Sequence, residues 1–352
     1  MSESPPDFEG YSCPLPLPPG DRVVLGHGSG GRLSRDLLTR LLLPALGTAA
    51  PRHLDDSAVL QFGSELLAFT TDSHVVSPLF FPGGDIGRLA VCGTVNDLAM
   101  VGARPMALTA GFVLEEGLEF GELGRILESM AQAAREAGVY IAAGDTKVVQ
   151  RGAADKMFIN TSGVGWVAPG QAISGAGAKP GDVVLLSGPI GDHGMAVLSA
   201  REDLGFETDL VSDVAPLNHM VHAMCEAGPV NALRDPTRGG LATALKEIAD
   251  QSGVSIELHE KTIPVRPAVR AACELMGFDP LHVANEGKLV ACVPAEASER
   301  VLEAMRASRY GEEACRIGEV GHGTRGRVTL QTAIGGTRLI DMLAGEMLPR
   351  IC

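Results

Sequence analysis

Aromatic side chains are scarce in this 352-residue chain, which has one Trp, three Tyr and ten Phe. That scarcity excludes the stacking platforms on which single-stranded nucleic acids are held. A basic surface is missing as well. With 29 Lys and Arg against 43 Asp and Glu, the formal net charge of -14 repels phosphate backbones. No run approaches the roughly 20 apolar residues that span a bilayer. The opening stretch, with Glu3, Pro5, Pro6, Asp7 and Glu9, has neither the basic nor the apolar region of a secretory leader. The expectation is a cytoplasmic protein that binds neither nucleic acid nor membrane. The cysteines, at 13, 92, 225, 273, 292, 315 and 352, form no CxxC pair, which excludes a zinc knuckle or a disulfide framework. Cys92, Cys225, Cys273 and Cys292 sit in apolar periodic runs and read as small buried hydrophobes.

The length suggests two domains, each large enough for its own core. Residues 1–20 are rich in Pro and acids and read as a disordered tail. Residues 21–167 then form a first domain. Strands are expected at 58–62, 66–71, 106–114, 139–143 and 157–167, and helices at 86–101 and 121–137, with a further amphipathic helix carrying Leu33, Leu37, Leu38, Leu41 and Leu42. A cluster of Gly, Ala, Pro and Ser over 168–180 reads as a linker. The second domain, 168–325, again mixes strands (182–187, 255–258, 289–293, 316–320) with helices (193–201, 216–227, 240–251, 267–276, 295–308). Both halves are α/β or α+β in class.

Residues 326–352 read as a mobile tail ending Pro349-Arg350-Ile351-Cys352. A thiol at the last position of a swinging segment is a tethered nucleophile. Gly335-Gly336 and Gly345 are its expected hinges, and Met342, Leu343, Ala344, Met347, Leu348 and Ile351 its apolar docking face.

Acidic residues recur at the ends of apolar runs: Asp55-Asp56, Asp72, Asn96-Asp97, Asp145 in a loop at 144–147, and Asp235. One Asp at a turn is commonly a cap or Asx turn. Repetition beside apolar and glycine residues favours convergence on magnesium, whose hard oxygen ligands bridge to nucleotide phosphates. The glycine-dense loop His27-Gly28-Ser29-Gly30-Gly31 is not a Walker A loop, yet its N–H groups can wrap a triphosphate. Lys147 reads either as a solvent-facing loop residue or as a charge held near a reacting phosphate. Glu286, in a polar break between apolar segments, reads either as a partner of Lys288 or as a partly buried base.

Taken together, the motifs at His27–Gly31, Asp55-Asp56-Ser-Ala, Thr71-Asp72-Ser-His-Val, Val95-Asn96-Asp97-Leu, Gly144-Asp145-Thr146-Lys147-Val, Ile190-Gly-Asp-His193-Gly, Asp235-Pro-Thr-Arg-Gly-Gly, Asn285-Glu286-Gly-Lys and Pro349-Arg-Ile-Cys352 resemble the HypE family of hydrogenase maturation proteins. The aspartate motifs are shared with the wider superfamily of aminoimidazole ribonucleotide synthetase, selenophosphate synthetase and thiamine-monophosphate kinase. The resemblance runs from about residue 22 to the last residue. It implies a two-domain aminoimidazole ribonucleotide synthetase-like fold whose N-terminal domains pair as a homodimer around a shared β-barrel. It further implies that Asp56, Asp72, Asp97 and Asp235 hold Mg2+. The glycine loop His27, Gly28, Ser29, Gly30 and Gly31, with Asp55, Asp72, Asn96, Asp97, Asp145, Thr146 and Asp235, would line ATP. The implied activity is ATP-dependent dehydration of a carbamoyl group on Cys352 to a thiocyanate, with Lys147 and Glu286 as catalytic groups. The implied partners are the carbamoyltransferase HypF and the HypC–HypD iron scaffold. Two alternatives stand beside it: a small-molecule kinase or synthetase of the same superfamily, and a non-catalytic metal-delivery scaffold.

Overall fold

Met157, Ile159, Thr161, Gly163, Gly165 and Val167 are buried and their neighbours are not, so this stretch can only be a strand with one face on a core. In the computed structural model, which describes residues 22–46, 54–201, 209–343, 345, 348 and 350–352, it is the seventh strand of the chain. The first half runs α1 (Arg32–Leu37), α2 (Leu43–Leu46), β1 (Ala58–Phe62), β2 (Glu65–His74), a small hairpin β3 (Phe80–Phe81) and β4 (Gly84–Asp85), α3 (Ile86–Met100), β5 (Ala103–Glu115), α4 (Phe120–Ala137), β6 (Tyr140–Val149) and β7 (Met157–Val167). Its five-stranded sheet has the order β1-β2-β7-β5-β6.

Helix α3 is apolar on all sides and almost wholly buried, as a helix between two layers must be. The Asp85 carboxylate caps it, accepting the N–H groups of Gly87 (2.7 Å) and Arg88 (3.0 Å). Gly163 lets α3 lie against β7, since a Cβ there would come within 2.8 Å of Leu98 and Thr94. Amphipathic α4 covers α3 with Ile126, Met130, Ala133 and Ala137. The other face of the sheet is left open and carries Leu60, Phe69, Met106 and Val113.

The second half adds β8 (Asp182–Leu186), α5 (Asp192–Ser199), α6 (Asn218–Ala227), β9 (Ala232–Arg234), α7 (Gly240–Ser252), β10 (Ser255–His259), α8 (Pro267–Met276), β11 (Val290–Pro294), α9 (Ala295–Ala307), β12 (Cys315–Gly321), β13 (Val328–Gln331) and β14 (Thr337–Ile340). The seven strands are ordered β14-β13-β10-β12-β8-β11-β9. β8 is buried on both faces: Val184 and Leu186 pack with Leu241, Leu245 and Ile248 of α7, while Val183 and Leu185 pack with α6 and α9.

Three expectations change. The polar stretch 144–147 is not a loop but the middle of β6. The tail does not leave the sheet at 326: β13 and β14 extend it, and the free arm begins after Ile340. Gly335-Gly336 is the turn between those strands, with the Thr332 N–H donating to the Gly336 carbonyl at 2.8 Å, and is no hinge of the arm. Cys92, Cys273 and Cys292 are buried as expected, and burial pushes the Cys92 thiol up to about 12; Cys225 is only half-buried. The expected tail 1–20, Cys13, Ala344 and Met347 of the docking face, and Pro349 of the terminal motif lie outside the described residues.

Candidate functional site

Five acidic groups converge where the two sheets meet. Asp56 stands before β1, Asp72 on β2, Asp97 in α3, Asp235 after β9 and Glu286 before β11. Burial raises Asp97, Asp235 and Glu286 well above the usual carboxylate range, and mutual repulsion among Asp56, Asp72, Asp97, Asp235 and Glu286 adds to it. Thr70 Oγ1, not singled out from sequence, lies 2.8 Å from Asp97 Oδ2 and 3.0 Å from the Asp56 carbonyl.

Asp56 is engaged by Arg234, whose Nη1 lies 2.6 Å from its Oδ1. Asp55 accepts Ser174 Oγ and the Gly175 N–H, both at 2.8 Å, and so anchors the linker. Asn96 is also structural: its amide donates to the carbonyls of Ala215 (3.1 Å) and Glu286 (3.4 Å), and its oxygen accepts the Leu217 N–H (2.8 Å). Asp72 Oδ2 approaches His74 Nε2 at 3.5 Å. Against the cost of its burial, His74 and then Arg238 hold the Asp72 carboxyl below the usual carboxylate range, while burial lowers His74 in turn. Among the described residues, no three His, Cys, Asp or Glu side chains are gathered to hold a metal ion, so the expected four-carboxylate cage is not preformed.

Glu286 does not pair with Lys288. Lys288 Nζ approaches Asp213 Oδ2 at 3.4 Å, and Glu286 Oε1 is buried without a hydrogen-bond partner. Such a carboxyl costs about 1–3 kcal/mol or more to leave unsatisfied, the kind of cost retained where a group acts on a substrate.

The arm lies inside the molecule. The Leu343 carbonyl accepts the Arg32 N–H at 3.1 Å, and Leu348 and Ile351 are buried. At its end the Val75 N–H donates to the Cys352 carbonyl (3.0 Å) and the Ser77 N–H to the Arg350 carbonyl (3.2 Å). Arg350 Nε returns a bond to the Val75 carbonyl (2.9 Å), and its guanidinium pairs with Asp155. The glycine loop forms the opposite wall. A Cβ on Gly31 would come within 2.5 Å of the Leu343 carbonyl, and one on Gly30 within 2.8 Å of Arg238 Cβ. Ser29 Oγ bonds the Gly26 carbonyl (2.8 Å), Arg238 Nη1 the Gly28 carbonyl (3.0 Å), and His27 is half-buried, its Nδ1 accepting the Val24 N–H (3.0 Å). A cavity of only about 30 Å³ remains between arm, loop and Arg238. Arg238, at the rim, is held protonated by Cys352 first and then by Asp72, Glu286 and Asp97, which places the end of the arm in the field of the acidic cluster.

Asp145, Thr146 and Lys147 are not in this cluster. Asp72 pairs with Thr161, Thr161 with Ala110, and Ala110 with Gly144, so β6 stands three strand spacings away, about 14 Å. Lys147 Nζ pairs with Asp145, and both are exposed. A cavity of about 890 Å³ also misses the cluster; it is lined by residues 209–214 together with Arg88, Tyr310 and Lys288. The orphaned carboxyl of Glu286 lies with the acidic cluster and not in this cavity.

Comparison with known proteins follows these divisions. Residues 54–167 match the N-terminal domain, and 179–331 the C-terminal domain, of AIR synthase related proteins. The chain is 56% identical to carbamoyl dehydratase HypE of Azotobacter vinelandii over 94% of this chain and 97% of that protein. It is similar to the crystal structure of a HypE–HypF complex (TM-score 0.83, 51% identity, 87% of this chain and 99% of that one). It is likewise similar to HypE in complex with ATP (TM-score 0.79, 50% identity, 94% and 100%).

Proposed function

The chain belongs to the HypE carbamoyl dehydratases, a branch of the AIR synthase related family, and from that premise we propose how its residues work. It is an enzyme that uses ATP to dehydrate the S-carbamoyl group of Cys352 to a thiocyanate, the source of cyanide for hydrogenase iron. The observation that carries this reading is the docked arm, whose end is hydrogen-bonded to Val75, Ser77 and His193, together with the buried Glu286, whose Oε1 has no hydrogen-bond partner. The carbamoyl oxygen attacks the γ-phosphorus of ATP and ADP leaves, so a poor leaving oxygen becomes phosphate. The phosphorylated group gives up one nitrogen proton to the departing ADP, and Glu286, its carboxyl raised by burial and by the neighbouring acids, takes the second as the C–O bond breaks, giving the nitrile and phosphate. Burial of the arm keeps water from the intermediate. Incubation of the whole protein with ATP and a HypF-type carbamoyltransferase, followed by intact-mass analysis, tests this.

Mg2+ fits the cluster by chemistry: every donor is a hard oxygen, and repulsion among the acids is what a dication relieves. Asp72, Asp97 and Asp235 would hold it, Asp56 being paired with Arg234, and ATP phosphates would complete its ligands; this explains why no all-protein cage is preformed. When bound, Mg2+ neutralises phosphate charge and orients the γ-phosphoryl group. Gly28, where a Cβ would meet open space, would leave room for those phosphates. A pH dependence follows. Acids with raised folded-state pKa values keep protons that the unfolded chain has released, so stability falls as pH rises above the ordinary carboxylate range. The melting temperature without divalent ions is expected to drop between about pH 5 and about pH 8, and Mg2+ to raise it more at the upper end. A magnesium shift of equal size at both ends contradicts the assignment.

The active unit is a homodimer. Strand β6 is an unpaired edge, exposed from Tyr140 through Val148 and including Ile141. An apolar edge strand of this length is left bare only when another chain covers it. A second copy there carries its own Asp145, Thr146 and Lys147 toward the cluster that they cannot reach within one chain. Lys147 of one copy then stabilises charge on the phosphate in the other. Lys147→Ala and Glu286→Gln proteins are each expected to be inactive, and unfolding and refolding them together to restore about a quarter of the parental activity, from the one intact site in each mixed dimer. No recovery would place Lys147 in its own chain's site. Residues 21–167 thus serve nucleotide binding and dimerisation, 168–340 complete the cleft, and the arm shuttles in the cytoplasm between this site, HypF and the HypC–HypD scaffold.

A further inference from the structure

His193 belongs to neither the carboxylate cluster nor the dimer edge, yet it is fully buried and touches the arm. Its Nε2 lies 2.8 Å from the Ile351 carbonyl, and its Nδ1 2.8 Å from Ser212 Oγ. A carbonyl can only accept, so Nε2 carries the proton. The Val214 N–H donates to Ser212 Oγ at 3.1 Å, which leaves the serine hydroxyl to donate to Nδ1. Every group in this chain of bonds has a matching partner, and the tautomer is fixed. The Phe81 ring packs edge-on against the imidazole at 5.4 Å.

The segment holding Ser212 also fixes the base. Asp213 Oδ1 accepts the Glu286 N–H at 3.0 Å, and Asn96 ties the carbonyls of Ala215 and Glu286 together. The Ser212 N–H donates to the Pro82 carbonyl at 2.7 Å, and at Gly83, where φ is +90°, a Cβ would come within 2.8 Å of the Ser212 backbone. The backbone of residues 212–215 is therefore pinned on both sides. One end of this spine grips the arm through His193, and the next residue sets the main chain of Glu286.

We propose that His193 is the positioning residue that latches the docked arm by the Ile351 carbonyl, and that Ser212 and Asp213 put the latch and Glu286 in one register. The role rests on the dehydratase reading for its purpose but not for its geometry. Arg201 and the backbone of residues 75–77 also hold the arm; His193 is the side chain that connects it to the Glu286 loop. The latch itself is one neutral hydrogen bond, a modest share of what holds the arm and one that can be remade in every cycle.

The test is the rate at which iodoacetamide alkylates Cys352, followed by peptide mass mapping on the full-length protein without ATP or partner. His193→Ala and Ser212→Ala are each expected to speed alkylation, by about three- to tenfold for the histidine and less for the serine. His193→Gln, which keeps an N–H donor, should return toward the parental rate. A Val301→Ala variant, which loosens the core under α9, controls for general destabilisation and should leave the rate unchanged. With the carbamoyltransferase, His193→Ala should still be loaded while its dehydration kcat falls. Parental alkylation rates in both His193→Ala and Ser212→Ala, or equal acceleration in Val301→Ala, overturn the latch. Failure of the parental protein to take up carbamoyl would overturn the dehydratase reading while the alkylation result stands.

Discussion

Glu286→Gln is expected to accept the carbamoyl group on Cys352 at the parental rate and to lose about 10²–10⁴-fold in converting it to thiocyanate. The substitution keeps the shape of the side chain and removes its ability to take a proton. Loading occurs with the arm away from the site, where Glu286 plays no part. Dehydration occurs with the arm inside, where burial and the charges of Asp235, Asp72 and Asp213 raise the carboxyl and where Oε1 has no other partner. The same substitution removes a buried, repelled carboxylate, so the variant should be at least as stable as the parent. Accumulated S-carbamoyl protein with an unchanged or higher melting temperature is the expected pair of results. Conversion at the parental rate would remove Glu286 from the mechanism, and failure to load would move it to partner docking.

Cys352→Ala is expected to abolish modification entirely while changing stability by less than about 1 kcal/mol. The arm is held through the main chain at Arg350, Ile351 and Cys352 and through the buried Leu348 and Ile351, none of which needs the thiol. The other described cysteines cannot substitute. Cys92, Cys273 and Cys292 are buried with thiols pushed up by burial, to about 12 for Cys92 and about 11 for Cys273, and Cys225 and Cys315 are raised as well. A carbamoyl mass on the alanine variant would mean another carrier.

Much of this architecture is legible in the sequence wherever one element meets one environment. The alternation of β7, the apolar run of α3, and the helix at Pro267–Met276 emerge with their expected bounds or within one residue of them. The acidic cluster was legible because Asp56, Asp72, Asp97 and Asp235 each end or interrupt an apolar run. Only the start of β6 was legible, as the strand expected at 139–143; its continuation, exposed on both faces in one chain, carries Gly144, Asp145 and Thr146, which read as a loop. The Gly335-Gly336 pair signals a turn of either a hinge or a hairpin, and only the pairing of β13 with β14 distinguishes them. The hydrogen bonds of Asp55 and Asn96 were not legible because both reach backbone groups more than 100 residues away in sequence, 120 for Asp55 to Gly175 and 121 for Asn96 to Leu217. The same blindness hid Arg234, 178 residues from Asp56, and the grip of His193 on Ile351, 158 residues off. Spacing reveals periodic local order, not the partner of a lone buried side chain.

The most direct measurement follows the intact mass of the parental protein, first with a HypF-type carbamoyltransferase and its substrates and then after ATP and Mg2+. Peptide mapping assigns each change to a residue. The account predicts a gain of one carbamoyl group on Cys352, followed by loss of one water from that same residue only when ATP is present. A carbamoyl group that persists unchanged with ATP, or a modification that maps to any other residue, would contradict it.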